Sequence, residues 1–100
     1  MKNFRTFNLA VEFYKASRRL PFTGESKQQL KRAAHSIVLN LAEGRGKRTA
    51  KDQKRFFHMA LGSLRECQAI LILEEMEGQR EWHLLDKLGA NLYCLIRSLS

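Results

Sequence analysis

Gly44-Arg45-Gly46-Lys47-Arg48-Thr49 is the stretch of this sequence whose residue types most invite phosphate chemistry. In a triphosphate-binding loop, a glycine five residues ahead of the Gly-Lys-Ser/Thr glycine lets successive backbone amides surround the phosphates. Leu41 occupies that place, and Arg48 stands where the metal-binding hydroxyl belongs. A dinucleotide fingerprint fails as well, because its third glycine would fall at Thr49 and no strand precedes it. The segment reads as the end of one helix, at Gly44, followed by a basic turn. His35, His58 and His83 fall on three different predicted helices, and none has a His, Cys, Asp or Glu at the i, i+4 spacing of a helical metal site. Glu81 lies two residues from His83, which is the wrong spacing. Cys67 and Cys94 read as small apolar residues, with nothing nearby in sequence to activate a thiolate. No catalytic residue, metal or cofactor is expected, and the chain reads as non-enzymatic.

Polar residues on faces that should pack are more informative. Asn40 lies one turn after Ile37, and Glu43 sits near a helix C-terminus, where the dipole disfavours an anion. Gly62 stands inside the longest predicted helix, at a cost of about 1 kcal/mol relative to Ala. Together with Ala33, Ala34, Ala60 and Ser63 it predicts a close approach between the second and third helices. Asn40 and Glu43 are expected to bridge buried donors at that contact. The roles are structural, since an amide and a lone carboxylate lack a partner acid or base.

The elements that must position these residues are helices. No stretch alternates at period 2 for long enough to predict a strand, and apolar residues recur at i, i+3, i+4 and i+7 over 6–20, 26–43, 50–77 and 81–99. The first helix carries two stripes: Phe7, Ala10, Val11 and Tyr14, then Leu9, Phe13, Ala16 and Leu20. Pro21 stops it. Ser26 is placed to cap the second helix, whose core face is Leu30, Ala33, Ala34, Ile37 and Leu41, and Gly44 to end it in a left-handed conformation. Thr49 and Asp52 have the spacing of a capping box for the third helix. Its main stripe is Phe56, Ala60, Ser63, Cys67, Ile70 and Glu74, flanked by Phe57, Leu64 and Leu71, and Gly78 interrupts the helix. Leu85, Leu88, Leu92, Leu95 and Leu99 form a heptad seam on the fourth. Four amphipathic helices with short links predict an all-α fold, an antiparallel up-down four-helix bundle, as one domain over 1–100.

Charge points to a partner. Eighteen Lys and Arg stand against ten Asp and Glu, a formal charge of +8, while apolar residues at 44 % are too many for a disordered chain. From Lys27 to Arg55 the local charge is +7, and from Glu66 to Asp86 it is −5. A face built only for solubility mixes the signs, so the basic block is expected to meet a polyanion. The longest apolar run, Ala69-Ile70-Leu71-Ile72-Leu73, is far short of the roughly 20 residues a membrane span needs. No apolar leader follows Met1-Lys2-Asn3-Phe4-Arg5, and two cysteines are too few for a disulfide scaffold, so a cytoplasmic location is expected.

Gln29-Leu30-Lys31-Arg32-Ala33-Ala34-His35-Ser36-Ile37 followed by Asn40-Leu41-Ala42-Glu43-Gly44-Arg45-Gly46 resembles the small bacterial four-helix bundle proteins encoded in intervening sequences of large-subunit ribosomal RNA genes. Arg55-Phe56-Phe57-His58-Met59-Ala60-Leu61-Gly62-Ser63-Leu64-Arg65-Glu66 is similar to that family's Ala-x-Gly-Ser-Leu-x-Glu block, and Phe13-Tyr14 with Leu20-Pro21 to the end of its first helix. The resemblance spans about residues 13–66 and marks Asn40, Glu43, Gly44, Gly62, Ser63 and Glu66 as structural signature positions. It implies a homopentamer, related to the accessory variability proteins of diversity-generating retroelements. Those are basic pentameric barrels that bind a reverse transcriptase and nucleic acid, without enzymatic activity. The sequence departs from the usual pattern in a short link between the first two helices and in its high charge; the charge leans toward the retroelement branch. The expectation is a basic oligomer that binds RNA or DNA through Arg18, Arg19, Lys31, Arg32, Arg45, Lys47, Arg48, Lys51, Lys54 and Arg55, acting with a reverse transcriptase or ribosomal RNA. The alternative is a protein-interaction scaffold whose acidic region pairs with a basic region of another chain.

Overall fold

A computed structural model describes residues 4–99 of the chain. Four helices make up the fold: α1 (Arg5–Ser17), α2 (Glu25–Arg45), α3 (Ala50–Leu73) and α4 (Arg80–Ser98), with no strand among the described residues. Each helix packs antiparallel on the next, and α4 closes the ring against α1. The result is an up-down bundle of 40 × 22 × 21 Å. The α2–α3 turn sits at one end, and the α1–α2 and α3–α4 links at the other.

The core is the set of faces that periodicity predicts, with shifts in phase. Leu30, Ala33, Ala34, Ile37 and Leu41 on α2 are all fully buried. On α1, Leu9, Ala10, Phe13 and Ala16 are buried, while Phe7, Val11 and Tyr14 of the other stripe lie half-buried on the flank. α3 is turned relative to the expected stripe. Phe57, Leu64 and Leu71 are buried beside Ala60, Cys67 and Ile70, while Phe56, Ser63 and Glu74 fall at the edge. α4 buries Leu84, Leu85, Leu88, Leu92 and Ile96, leaving Leu95 and Leu99 half-buried. A straight helix of period 3.6 drifts off a heptad seam within two or three turns, so Ile96 replaces Leu95.

The helix ends depart most from expectation. α1 stops at Ser17, three residues before Leu20; Ser17 Oγ donates to the Tyr14 carbonyl at 2.8 Å, and Pro21 excludes helical backbone at Leu20. Gly24, at φ 80°, precedes α2 instead of Ser26, with no side-chain cap. The Lys27 ammonium donates to the Leu20 carbonyl and ties the link shut. α2 passes straight through Gly44, and its C-cap is Gly46, in ordinary right-handed backbone. Thr49 caps α3 as its spacing predicts, accepting from the Asp52 amide at 3.2 Å. α3 then ends at Leu73, well before Gly78. Glu75 takes a left-handed φ of 58°, the Met76 amide donates to the Leu71 carbonyl at 2.8 Å, and the Glu75 amide to Ile72 at 3.0 Å. Those two bonds form a Schellman motif with a glutamate in the position glycine usually takes.

By length and composition α3 is apolar enough to cross a bilayer, although its uninterrupted apolar runs are short. Its buried residues belong to the core and the helix packs against α2 and α4, while Lys51, Asp52, Arg55 and Arg65 are exposed along the rest.

Candidate nucleic-acid interface

The α2–α3 turn gathers six cations within eleven residues: Arg45, Lys47, Arg48, Lys51, Lys54 and Arg55. Two aromatic rings position three of them. Arg45 lies over the Phe4 ring at 4.7 Å; Lys47 and Arg55 lie over the half-buried Phe56 ring at 5.1 and 4.8 Å. Stacked cations of this kind keep their charge at the surface while their stems pack. The turn itself is stiffened by backbone bonds from Gly46 to Glu43 and from Lys47 to Gly44, and by Gln53 Nε2 donating to the Lys47 carbonyl at 3.0 Å. Lys47 pairs with Glu43 at 3.3 Å, in solvent. Arg45, Arg48, Lys51 and Arg55 are exposed, and the positive end of the α3 dipole adds to their field. An array of cations at a helix N-terminus can hold phosphate oxygens.

The other predicted binding residues lie elsewhere. Arg18 and Arg19 follow α1 at the opposite end of the bundle, so they do not join the turn. Lys31 sits fourteen residues before Arg45 on α2, about 21 Å along the axis. Arg32 is committed to the α2–α3 seam, donating to Glu66 at 2.6 Å and to Gln29 Oε1.

That seam accounts for most of the signature positions. Asn40 Nδ2 donates to the Ser36 carbonyl and hydroxyl at 3.0 and 3.1 Å, and Ser63 Oγ bonds to Ser36 Oγ across the helices at 2.9 Å. Asn40 therefore donates within its own helix rather than bridging buried donors, and the Ser36–Ser63 bond crosses the seam here; Glu43 pairs with Lys47 at the surface. The close approach lies at Gly44, where an added Cβ would stand 2.6 Å from Phe57 Cε1; Gly62 faces open space and is exposed. Sequence reasoning missed Ser36, Gln53 and the orienting role of Phe56. Only the adjacency of Phe56 to Arg55 hinted at the last.

Reactive groups are scarce. Burial pushes the Cys67 thiol up to about 12, with the nearby Glu66 carboxylate adding to the rise and Arg32 opposing it, so it stays protonated. Cys94 is exposed. Among the described residues no three His, Cys, Asp or Glu side chains are grouped to hold a metal ion.

Residues 4–99 match the family described as 23S rRNA-intervening sequence protein. No curated protein matches the chain.

Proposed function

The chain belongs to the 23S rRNA-intervening sequence protein family, and we propose that it is a non-enzymatic RNA-binding protein that grips phosphates with its α2–α3 turn. The observation that carries this reading is the array of six cations on that turn, of which Arg45, Lys47 and Arg55 lie over Phe4 and Phe56 while Gln53 holds the turn's backbone. Such a surface reads backbone and shape, so affinity falls steeply with salt, with a log–log slope of about 0.7 per single-strand contact or 0.9 per duplex contact. DNA is bound through the same phosphates. In the cytoplasm the protein acts as an accessory factor to ribosomal RNA or to a retroelement reverse transcriptase. A reverse-transcriptase gene beside its own would support the second.

Self-association as a homopentamer, implied by the resemblance, is part of the proposal. It is supported by the apolar side chains left in solvent, Leu39 and Met59 at 53 % and 48 % exposure, and by the half-buried Phe7–Val11–Tyr14 flank. Light scattering should find particles several times the 11.6 kDa chain; a stable monomer at micromolar concentration would sink this part.

The test of binding is Arg45→Ala/Lys47→Ala/Arg48→Ala, measured by fluorescence anisotropy on RNA and DNA at about 0.15 M salt. The variant should bind all sequences more weakly and show a flatter salt slope, at unchanged helical content. Undiminished binding would leave the turn a solvated face. The segregated acids between Glu66 and Asp86 would then favour a scaffold that docks a basic partner chain.

A further inference from the structure

We infer that the bundle carries a second phosphate-binding site, at the end opposite the basic turn, in the cleft between α1 and α2 lined by Arg18, Lys27 and Lys31. Its ligand is the phosphodiester backbone of an RNA strand, so the inference rests on the RNA-binding reading but on different residues.

Two adjoining depressions share Arg18. One is lined by Ser17, Arg18, Lys27, Gln28 and Lys31, the other by Lys15, Arg18 and Arg19. Neither lining includes an acidic residue. Lys15, Arg18, Arg19 and Lys31 have no carboxylate partner at ion-pair distance among the described residues, whereas Arg32, one position beyond Lys31, has Glu66. A concave wall of one sign, with no counter-charge, focuses field into the cleft and repels itself until an anion arrives.

The cations are also positioned. Arg18 lies over the Tyr14 ring at 5.8 Å, and that ring packs on His35 of α2 at 5.9 Å, so packing leaves the guanidinium donors unspent. Lys27 is pinned by its bond to the Leu20 carbonyl and lies over the Phe22 ring at 5.5 Å, fixing one edge. Lys31 stands one turn further along α2, and the Gln28 amide lies between them in sequence. A phosphate in the cleft would take charge-assisted bonds from Arg18 and Lys31 and a neutral one from Gln28. Since the α2–α3 turn is about 21 Å away along α2, one strand engaging both ends must run the length of the α2 face.

The experiment is Arg18→Gln/Lys31→Gln, with Arg18→Lys/Lys31→Arg as the charge-preserving control and Lys27 left intact. Anisotropy with a dye-labelled uridine-only RNA is read across a salt series. Loss of two single-strand contacts should lower the log–log slope by about 1.4 and weaken binding about tenfold at 0.15 M relative to 1 M salt. The control should keep parental affinity. Unchanged affinity and slope in the Gln variant would overturn the site, and equal loss in the charge-preserving control would overturn its electrostatic basis. The Arg45→Ala/Lys47→Ala/Arg48→Ala variant separates the two readings. If it binds like the parent while the cleft variant is weakened, the cleft stands and the turn fails. Inorganic phosphate is the second probe. If it shifts the Ser17 and Gln28 amide resonances while RNA affinity ignores the Gln substitutions, the cleft takes free phosphate and the RNA assignment is overturned.

Discussion

Replacing Gly44 and Gly62 separately by alanine should move stability in opposite directions, although both glycines sit inside helices. At either position a helical alanine is favoured over glycine by about 0.8–1.0 kcal/mol. Gly62 is exposed, and its new methyl would meet nothing within 4 Å. Gly62→Ala should therefore realise that gain in full and raise Tm by about 4–8 °C, the shift expected per kcal/mol in a domain of this size. At Gly44 the methyl would stand 2.6 Å from Phe57 Cε1, 2.9 Å from Cδ1 and 3.1 Å from Phe56 Cβ. Phe57 is only 2 % exposed and cannot swing into solvent, and Phe56 Cβ is fixed to the backbone of α3. Overpacking of this kind costs about 1–3 kcal/mol, which exceeds the propensity gain across most of its range. The net expectation is a loss of about 1 kcal/mol, leaving the two variants about 2 kcal/mol apart. Urea denaturation, read at constant m-value, measures both. A double-mutant cycle with Phe57→Leu adds a check, because the smaller side chain should absorb the methyl and give a favourable coupling. Gly44→Ala as stabilising as Gly62→Ala would refute the close contact and the α2–α3 packing built on it.

Glu75→Gly should stabilise the protein by about 1 kcal/mol in the same denaturation assay, because Glu75 holds a left-handed φ of 58° that costs a side-chain-bearing residue about that much. Ser63→Ala should cost about 0.5–1.5 kcal/mol by removing the bond to Ser36 Oγ across α2 and α3; no loss would mean the seam does not depend on it. Alkylation followed by mass spectrometry should give one adduct, at Cys94, in the folded protein, and two in denaturant. Burial raises the folded-state pKa of Cys67 from 9.0 to about 12, so its contribution to stability is complete below pH 9 and lost as pH rises toward 12; Cys67→Ala should flatten that part of the pH–stability curve.

Periodicity and end signals alone determine that this chain makes four helices, that Leu30, Ile37 and Leu41 face the core, and that Thr49 starts α3. Each depends on spacing within one helix, or on a side chain meeting its own backbone three residues on. The motifs around Asn40–Gly46 and Gly62–Glu66 likewise carry the family, and segregation of charge is visible by counting. Tertiary structure decided what depends on a neighbour across a gap. Gly44 and Gly62 look alike in sequence, yet only Gly44 has Phe57 against it. The stop at Glu75 was hidden, because a glutamate in left-handed backbone breaks the preference that pointed to Gly78. Arg18 and Arg45 belong to one basic count but to opposite ends of the bundle, because α1 and α2 run antiparallel. A net charge is a sum over the chain, whereas a binding surface is set by which helix ends meet.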